Sequence, residues 1–382
     1  MQRITAFFLI AVLCISLCGC GVQFLKPVPV PPRPQEVKRF DDDTLVAFLS
    51  TAEGIEDREL NQTLHTVCSS FCGAYSIFYS YYILPDNSPA TIEDYIDGIV
   101  QDGYRIIILP GIDFAESITW AAEKYSDVLF LGVDISEKDL NDRYQIPKNL
   151  CCISFREDIA GFLAGYAAVA MGYRYLGFFG GSSDSGVRRY GSGFVQGASL
   201  AASQREASVL IEYAYAGGGE PESYIKDRLS SWYSELGVEL VFAAGRGTIV
   251  PVALAAAESG GKLMAADFNS FSRIESYGSG ICVSCAEKNY DAALSLVLAD
   301  VLLRGEQEKH EGRLEVYGLV GLEDMKDNYV QLSHSTRWTE SFGAEEYTAL
   351  VGSLLANDIK IYSVFEPASD DYVTINYMDG IM

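Results

Sequence analysis

Histidine and positive charge are scarce in this chain of 382 residues. It contains 3 histidines, and its 28 lysine and arginine residues are outnumbered by 52 aspartate and glutamate residues, which gives a formal net charge of −24. Because nucleic-acid binding relies on clustered Lys and Arg side chains, this charge argues against a nucleic-acid partner. It also argues against a purely electrostatic attraction to anionic membranes.

Sequence motifs of common enzymes are missing as well. The patterns GxSxG, HExxH and GxxxxGK followed by Ser or Thr do not occur, so three widespread kinds of catalytic site have no signature here. His65, His310 and His334 are scattered along the chain, and no nucleophile, base and orienting group can be assembled around them. We therefore expect a protein that is not an enzyme and that needs no cofactor.

The first apolar run, AFFLIAVLCISLC, begins at residue 6. It falls short of the ~20 apolar residues that a membrane-spanning helix needs, and it is typical of a secretory signal peptide. Residues 17–20, Leu-Cys-Gly-Cys, resemble a bacterial lipobox, in which the cysteine is acylated before cleavage. We predict a signal peptide over residues 1–19 and a lipid on Cys20. An ordinary signal peptide with incidental cysteines is the alternative.

A proline-rich segment follows Cys20. Five prolines lie between Pro27 and Pro34, which prevents a helix or a central strand and favours a stiff extended chain. Residues 20–43 are therefore predicted to be a tether that holds a globular body outside the cell, close to the membrane.

Beyond the tether, short apolar runs alternate with helix-length segments. This alternation predicts an α/β fold with parallel sheets covered on both faces, and about 340 residues are enough for two lobes. The strand-like runs are TLVAFLS (44–50), RIIILPG (105–111), VLFLGVD (128–134), LCCISF (150–155), YLGFFGG (175–181), VLIEYAYAG (209–217), LVFAAGR (240–246), KLMAADF (262–268) and GICVSCA (280–286). Ligands in such folds gather at the carboxyl ends of strands, which directs attention to Gly111, Asp134, Gly245 and Asp267.

Six cysteines lie beyond the tether: Cys68, Cys72, Cys151, Cys152, Cys282 and Cys285. The last two have the CxxC spacing, but no histidine lies beside them, so a zinc site would need a second cysteine pair. We favour small buried apolar side chains and no metal site. Disulfide bonds are an alternative in an exported protein, and the sequence alone does not assign their pairing.

Several motifs occur together in one order. They include FREDIAGFLAGYAAVAMG (155–172), YLGFFGG, VRRYGSGFVQG (187–197), GIEDRELNQ (54–62), VFAAGRGT (241–248) and EKNYDAAL (287–294). From about residue 44 to about residue 335 the chain resembles the basic membrane protein family of ABC-transporter substrate-binding lipoproteins. The best understood members of that family are purine nucleoside receptors.

The resemblance implies the type I periplasmic binding protein fold, in which two similar doubly wound lobes close on a ligand in the cleft between them. Mapped here, lobe 1 takes residues 44–155 and 281–320, and lobe 2 takes residues 156–280. Residues 321–382 form a C-terminal crossing and tail.

The resemblance also implies ligand-binding residues. Asp267 and Lys288 hold the positions that grip ribose hydroxyls in nucleoside-binding relatives, Asn61 and Asp134 would read a purine edge, and Gly245 would let the backbone approach the sugar. Four of these residues have a plainer explanation. Asp134 and Asp267 would cap helices, Lys288 would be a solvated lysine at a helix start, and Gly245 would be an ordinary turn glycine.

Two positions depart from the family pattern. Relatives hold the base between two aromatic rings, whereas this chain has Leu60 and, in the simplest alignment, Gly219 there. Stacking on an aromatic ring contributes about 1–3 kcal/mol per base, so the ligand could differ even if the fold does not. Tyr190, Tyr215 or Phe268 could substitute.

Two functions follow as hypotheses. The first is a lipid-anchored receptor outside the cytoplasm, which captures a nucleoside-like small solute and delivers it to an ABC permease. The second is a sensing module on the same fold, which binds a ligand and signals to a membrane partner.

Changing Cys20→Ser should release the protein from membranes, because the acylated sulfur would be lost. Bacterial lipoproteins carry more than one acyl chain, and durable attachment needs that many, so the shift into the soluble fraction should be large. Immunoblots of pelleted membranes and supernatant measure it. If the serine variant pelleted as fully as the parent, the lipid-anchor prediction would be wrong.

Overall fold

The computed structural model describes residues 44–142, 145–217, 221–362 and 364–378. The predicted signal peptide, Cys20, the tether and Gly219 lie outside these residues. Within the described part of the chain, no helix has both the length and the apolar character needed to cross a bilayer.

The first lobe is built on a six-stranded sheet in which all neighbouring strands pair in parallel. Its spatial order is β11-β5-β4-β3-β1-β2. The strands are β1 (Leu45–Ser50), β2 (Phe78–Ile83), β3 (Ile106–Pro110), β4 (Leu129–Val133), β5 (Leu150–Phe155) and β11 (Arg313–Tyr317). Every residue of the inner strands β3, β4 and β5 is buried, which explains their continuous apolar sequences.

The second lobe has a seven-stranded sheet, ordered β12-β10-β9-β8-β6-β7-β13. All neighbours are parallel except β12, which runs antiparallel to β10. The strands are β6 (Tyr175–Gly180), β7 (Val209–Tyr215), β8 (Leu240–Ala244), β9 (Lys262–Asp267), β10 (Cys282–Lys288), β12 (Val330–Leu332) and β13 (Val373–Tyr377).

Helices cover both sheets. The first lobe carries α1 (Leu60–Tyr75), α2 (Pro89–Gln101), α3 (Ala115–Lys124) and α9 (Tyr290–Ala299). The second carries α4 (Glu157–Ala170), α5 (Ser185–Gln204), α6 (Glu222–Ser231), α7 (Ile249–Ser259) and α8 (Phe271–Glu275), and α10 (Ala344–Leu355) follows β12. Two helix starts at the cleft have side-chain caps: Asp184 accepts from the amide of Val187 on α5, and Asn289 accepts from that of Ala292 on α9. The two-lobed α/β fold predicted from the sequence is the fold observed.

Within residues 44–378 as described, the chain crosses between the lobes three times, after β5, after β10 and after β11. The second crossing corrects the predicted boundary at residue 281. Strand β10 pairs with β9 and belongs to the second sheet, so the chain returns to the first lobe only after Lys288, where α9 packs on α1. The tail also joins the second lobe, because β13 extends its sheet beside β7.

All six cysteines of the described residues are free and buried. Cys151 and Cys152 are neighbours on β5 and face opposite sides of the sheet, since one belongs to the core shared with the second lobe and the other to the core under α2 and α3. Cys282 and Cys285 lie within β10. Their side chains act as small apolar groups in the core under α6 and α7.

Helices α4 and α5 pack so closely that their backbones are in contact, and glycines lie at the contact points. A Cβ atom on Gly161 would lie 2.1 Å from the carbonyl oxygen of Tyr190, and one on Gly165 would lie 1.9 Å from that of Phe194. The reverse pair is equivalent, because a Cβ on Gly193 or Gly197 would lie 2.0 Å from a carbonyl oxygen of α4. Four glycines therefore set the separation of the two helices, and α4 carries Glu157 while α5 carries Tyr190 into the cleft.

Changing Gly165→Ala should destabilise the protein by at least about 2 kcal/mol, because the new methyl group cannot enter without moving the neighbouring backbone. Gly98→Ala is the matched control, since Gly98 is an exposed glycine on α2 with nothing within 4 Å of the new Cβ. That variant should stabilise the protein by roughly 0.5–1 kcal/mol through helix propensity. Urea unfolding measures both, and equal effects would contradict the packing argument.

Candidate ligand-binding cleft

A cleft of about 780 Å³ lies between the two lobes, within the size range of small-molecule sites. Its walls come mainly from loops at the carboxyl ends of strands in both sheets. Its lining residues include Glu59, Leu60, Gly111, Asp113, Asp134, Asp139, Glu157, Asp184, Arg189, Tyr190, Gly245, Arg246, Asp267, Phe268, Lys288 and Tyr290.

Lys288 is the centre of the cleft's polar network. Its Nζ lies 2.7 Å from Oδ1 of Asp134, 3.0 Å from Oδ1 of Asp267 and 3.2 Å from Oε1 of Glu157. The lysine side chain is only 4% exposed. One buried ammonium group thus joins an aspartate of the first lobe to two carboxylates of the second.

The backbone places these carboxylates where strands end. Asp134 follows β4 and Asp267 ends β9, and both have a left-handed backbone, with φ of 65° and 69°. Non-glycine residues seldom adopt this conformation, although aspartate tolerates it better than most. Glu157 is the first residue of α4, where the positive end of the helix dipole favours a carboxylate.

Burial and neighbouring charges shift the pKa values of this group. Burial raises the pKa of Asp134 to about 6, with Asp267 and Glu157 adding to the rise and Lys288 opposing it. Burial also disfavours the charges of Lys288 and Glu157, but their partners outweigh it. The carboxylates of Asp134 and Asp267 raise the pKa of Lys288 well above its usual value, and Lys288 and Arg189 lower that of Glu157.

Aromatic side chains surround the ammonium group. Tyr190 donates a hydrogen bond of 3.1 Å to Oδ1 of Asp267, and Tyr290 donates one of 3.1 Å to Oδ2 of Asp134. The ring centroids of Tyr190, Phe155 and Tyr290 lie 5.5, 5.6 and 5.9 Å from Nζ of Lys288, within the range of cation–π attraction. Phe268 stacks on Tyr290 at 5.5 Å, with 22° between the rings, and is half-buried at the cleft.

Four of the five predicted ligand-binding residues line this cleft: Asp134, Gly245, Asp267 and Lys288. The structure gives Gly245 a local reason for lacking a side chain. Its φ is 91°, and a Cβ atom there would lie 2.9 Å from Val187 and 3.3 Å from the amide nitrogen of Gly181. The glycine therefore allows two strand-end turns of the second lobe to meet.

Asn61, the fifth predicted residue, does not line the cleft. Its Nδ2 donates to Oγ1 of Thr51 and to Oδ2 of Asp57, both at 2.8 Å, and its Oδ1 accepts from the amide of Thr51 at 3.2 Å. With its amide fully engaged and 3% exposed, it fastens the loop before α1. Leu60, beside it, does line the cleft.

The sequence did not single out Glu157, Arg189, Arg246 or Tyr290 for the site. Glu157 and Arg189 stood within the quoted motifs, and the structure joins them by an ion pair of 2.8 Å in which the glutamate is 2% exposed. Glu157 and Asp158 are two acidic residues at the start of the otherwise apolar helix α4, and this pattern could have indicated Glu157 as a site residue. Which residue it would meet depends on long-range packing and could not be read from the pattern.

Further polar contacts connect the two lobes at the mouth of the cleft. Nη2 of Arg246 lies 2.8 Å from Oδ2 of Asp113, and Nη1 lies 3.9 Å from Oε1 of Glu53. On the other side, the hydroxyl of Ser185 donates to Oδ1 of Asp139 at 2.9 Å. The structure therefore shows the lobes in contact across the cleft.

The cleft carries an excess of negative charge. Among the residues that the structure describes, seven carboxylate side chains line it, against three cationic side chains. The carboxylates are Glu59, Asp113, Asp134, Asp139, Glu157, Asp184 and Asp267, and the cations are Arg189, Arg246 and Lys288. A site of this composition favours neutral or cationic ligands over anionic ones.

Solved structures share this architecture. An ABC transporter solute-binding protein from Conexibacter woesei superposes with a TM-score of 0.64 at 17% identity, over 85% of this chain and 100% of that one. One from Aeropyrum pernix gives 0.62 at 18% identity, over 83% and 87%. A transcriptional activator of the comK gene from Bacillus halodurans gives 0.64 at 16% identity, over 83% and 99%. At these identities the similarity establishes the fold.

Sequence comparison reaches the family. Basic membrane protein D of Borreliella burgdorferi is 33% identical over 120 residues, which cover 31% of this chain and about a third, 34%, of that protein's length. Residues 49–296 match the family described as PnrA-like ABC transporter substrate-binding proteins. This match spans most of both lobes and confirms the resemblance seen in the motifs. The chain belongs to the PnrA-like family of ABC transporter substrate-binding proteins.

Proposed function

We propose that this substrate-binding protein captures a neutral nucleoside-like solute in its cleft and delivers it to an ABC permease, while a lipid on Cys20 holds it at the outer face of the membrane. The observation that carries the ligand proposal is the group formed by Lys288, Asp134 and Asp267 at the carboxyl ends of strands from both lobes. The other parts of the cleft restrict the ligand further.

The sugar of a nucleoside fits the acidic end of this group. Oδ1 of Asp267 is occupied by Lys288 and Tyr190, whereas no described residue donates a hydrogen bond to Oδ2. A carboxylate accepts strong hydrogen bonds from hydroxyl groups. The two adjacent hydroxyl groups of ribose can both donate to the same carboxylate. Lys288 and Tyr190 hold Oδ1 from the protein side, so Oδ2 is the oxygen left to accept from the sugar.

A flat ring has an apolar surface to occupy. Phe268 is half-buried, stacks on Tyr290 and faces the cleft that Leu60 also lines. Stacking on one aromatic ring contributes about 1–3 kcal/mol. Phe268 can therefore supply part of the binding energy that an aromatic ring at the position of Leu60 provides in relatives. Among the substitutes that the sequence offered, Phe268 and Tyr190 line the cleft.

The charge of the cleft excludes phosphorylated ligands from this proposal. Seven carboxylates would face the added negative charges, and Lys288 and Arg189 are already paired with carboxylates. We therefore expect nucleosides to bind more tightly than the corresponding nucleotides.

Replacing Asp267→Ala should weaken binding of a nucleoside by roughly 30-fold or more, because removing one partner of a buried charge-assisted pair costs about 2–5 kcal/mol. Asp267→Asn keeps the shape of the side chain and should also weaken binding. The free base lacks ribose, so it should bind weakly and respond little to either change. Isothermal titration calorimetry with inosine, adenosine, guanosine, their bases, their monophosphates and ribose provides the comparison.

Asp127→Ala is the control for this series, since Asp127 is an exposed aspartate of the first lobe that pairs with Arg105. It should leave the affinity unchanged. Absence of heat from every nucleoside, together with binding of an unrelated solute, would remove the nucleoside from the proposal and leave the receptor. Equal loss of affinity for nucleoside and free base would show that Asp267 does not grip the sugar.

Changing Arg246→Ala should favour the open form, because Arg246 bonds to Asp113 across the mouth of the cleft. A partly exposed ion pair contributes roughly 0.2–1 kcal/mol, so ligand dissociation should speed up by up to about fivefold. Small-angle X-ray scattering of the parent protein should show a smaller radius of gyration with ligand than without. In the variant, more ligand should be needed for the same decrease.

Arg105→Ala provides the matched control. Arg105 has the same side-chain exposure as Arg246, 45%, but its ion pair with Asp127 lies within the first lobe. It should change neither the scattering nor the dissociation rate. A parent profile that stayed unchanged under saturating ligand would argue against closure around the ligand.

A further inference from the structure

A second group of polar side chains lies in the first lobe, outside the cleft. It consists of Cys151 on β5, His310 in the loop before β11, and Glu315 on β11. The thiol and the imidazole are buried, and the glutamate side chain is 18% exposed. None of the three lines the ligand cleft, so the group has no part in the function proposed above.

The three side chains bring together ligand atoms of the kind that bind zinc. The sulfur of Cys151, a ring nitrogen of His310 and a carboxylate oxygen of Glu315 all lie within 4.8 Å of one another. Ligand atoms around tetrahedral zinc lie about 3.5 Å apart, given bond lengths of about 2.0–2.3 Å. Small side-chain rotations would therefore bring the atoms around an ion.

Neighbouring groups support such a site from outside. Nδ1 of His310 lies 2.7 Å from Oε1 of Glu315, while Nε2 lies 3.2 Å from Oδ2 of Asp300. A histidine that binds a metal through one nitrogen usually donates its other N–H to a carboxylate, which fixes the ring. Asp300 has that place here. The hydroxyl of Tyr317 donates to the second oxygen of Glu315, which orients the carboxylate in the same way.

The charges also match a doubly charged cation. Oε1 of Glu315 and Oδ2 of Asp300 face the two ring nitrogens of His310, and Arg304 is paired with the other oxygen of Asp300. The carboxylate of Glu315 places negative charge beside the thiol and the imidazole, which a divalent cation would neutralise.

We propose that Cys151, His310 and Glu315 bind a divalent transition-metal ion of the zinc type, with water in the fourth position. The three ligands come from β5, from the loop after α9 and from the edge strand β11. The ion would fasten this edge strand and the loop to the body of the first lobe. Cysteine and histidine ligands select zinc or cobalt over magnesium and calcium, which prefer oxygen.

Cobalt(II) titration of the chelator-treated full chain tests the site, because cobalt reports its ligands by colour. The parent should bind one equivalent, with a near-ultraviolet thiolate-to-cobalt charge-transfer band and visible bands of tetrahedral cobalt. Zinc should displace the cobalt and remove both. Cys151→Ser should abolish the charge-transfer band, and His310→Gln should weaken binding at least tenfold. Asp300→Asn, which changes only the outer carboxylate, should weaken binding on the order of 10–100-fold.

Cys152→Ser is the matched control, since Cys152 is the adjacent buried cysteine and faces the opposite side of β5. It should keep the charge-transfer band, and circular dichroism should show that each serine variant is folded. A parent without a thiolate band, a band that survives Cys151→Ser, or one that Cys282→Ser removes would overturn the proposal. Cobalt bound without any thiolate band would place the ion on surface carboxylates and overturn it as well.

Discussion

The burial of one ammonium group constrains the middle of this molecule. Lys288 ends β10 at the point where the chain crosses between lobes, and its side chain is 4% exposed. Removing a charged amine from water costs several kcal/mol, which is recovered only if charged partners with good geometry replace the water. Asp134, Asp267 and Glu157 do so at 2.7–3.2 Å. The requirement to surround this amine therefore fixes where three elements of two lobes must meet.

Much of the cleft follows from that requirement. Glu157 can serve Lys288 because α4 starts beside it, and its second oxygen is held by Arg189 of α5 at 2.8 Å. The position of Arg189 depends in turn on the close approach of α4 and α5, which four glycines allow. The left-handed backbones of Asp134 and Asp267 are strained for a residue with a side chain, and their ion pairs with Lys288 offset that strain. A ligand that enters thus meets charged groups whose positions are already set.

The sequence predicted the features that local pattern controls. Fully buried strands such as β4 and β5 read as continuous apolar runs, and the residues after them lie at the cleft as parallel sheets require. Directions of side chains were another matter. Asn61 has the residue type and neighbourhood of a ligand-reading amide, but the carboxylate of Asp57 and the hydroxyl of Thr51 engage it inside the loop. The sequence analysis assigned β10 to the first lobe, whereas it pairs with β9 in the second. An apolar run predicts a strand but does not specify which strand it pairs with.

The excess of acidic over basic residues in the sequence is also found among the side chains that line the cleft. Lys288 is buried beside aromatic rings in a chain with 28 basic and 52 acidic residues. The three carboxylates around it stabilise the buried ammonium group only in their charged form. Burial raises the pKa of Asp134 to about 6, so this carboxylate takes up a proton in mild acid. Its protonation would weaken the shortest contact of Lys288, the one of 2.7 Å, and leave Asp267 and Glu157 to hold the amine. The link from Lys288 to the first lobe is therefore sensitive to mild acid. A ligand that donates a hydrogen bond to the charged carboxylate of Asp134 would favour its ionised form, and by reciprocity would bind best where that form is populated.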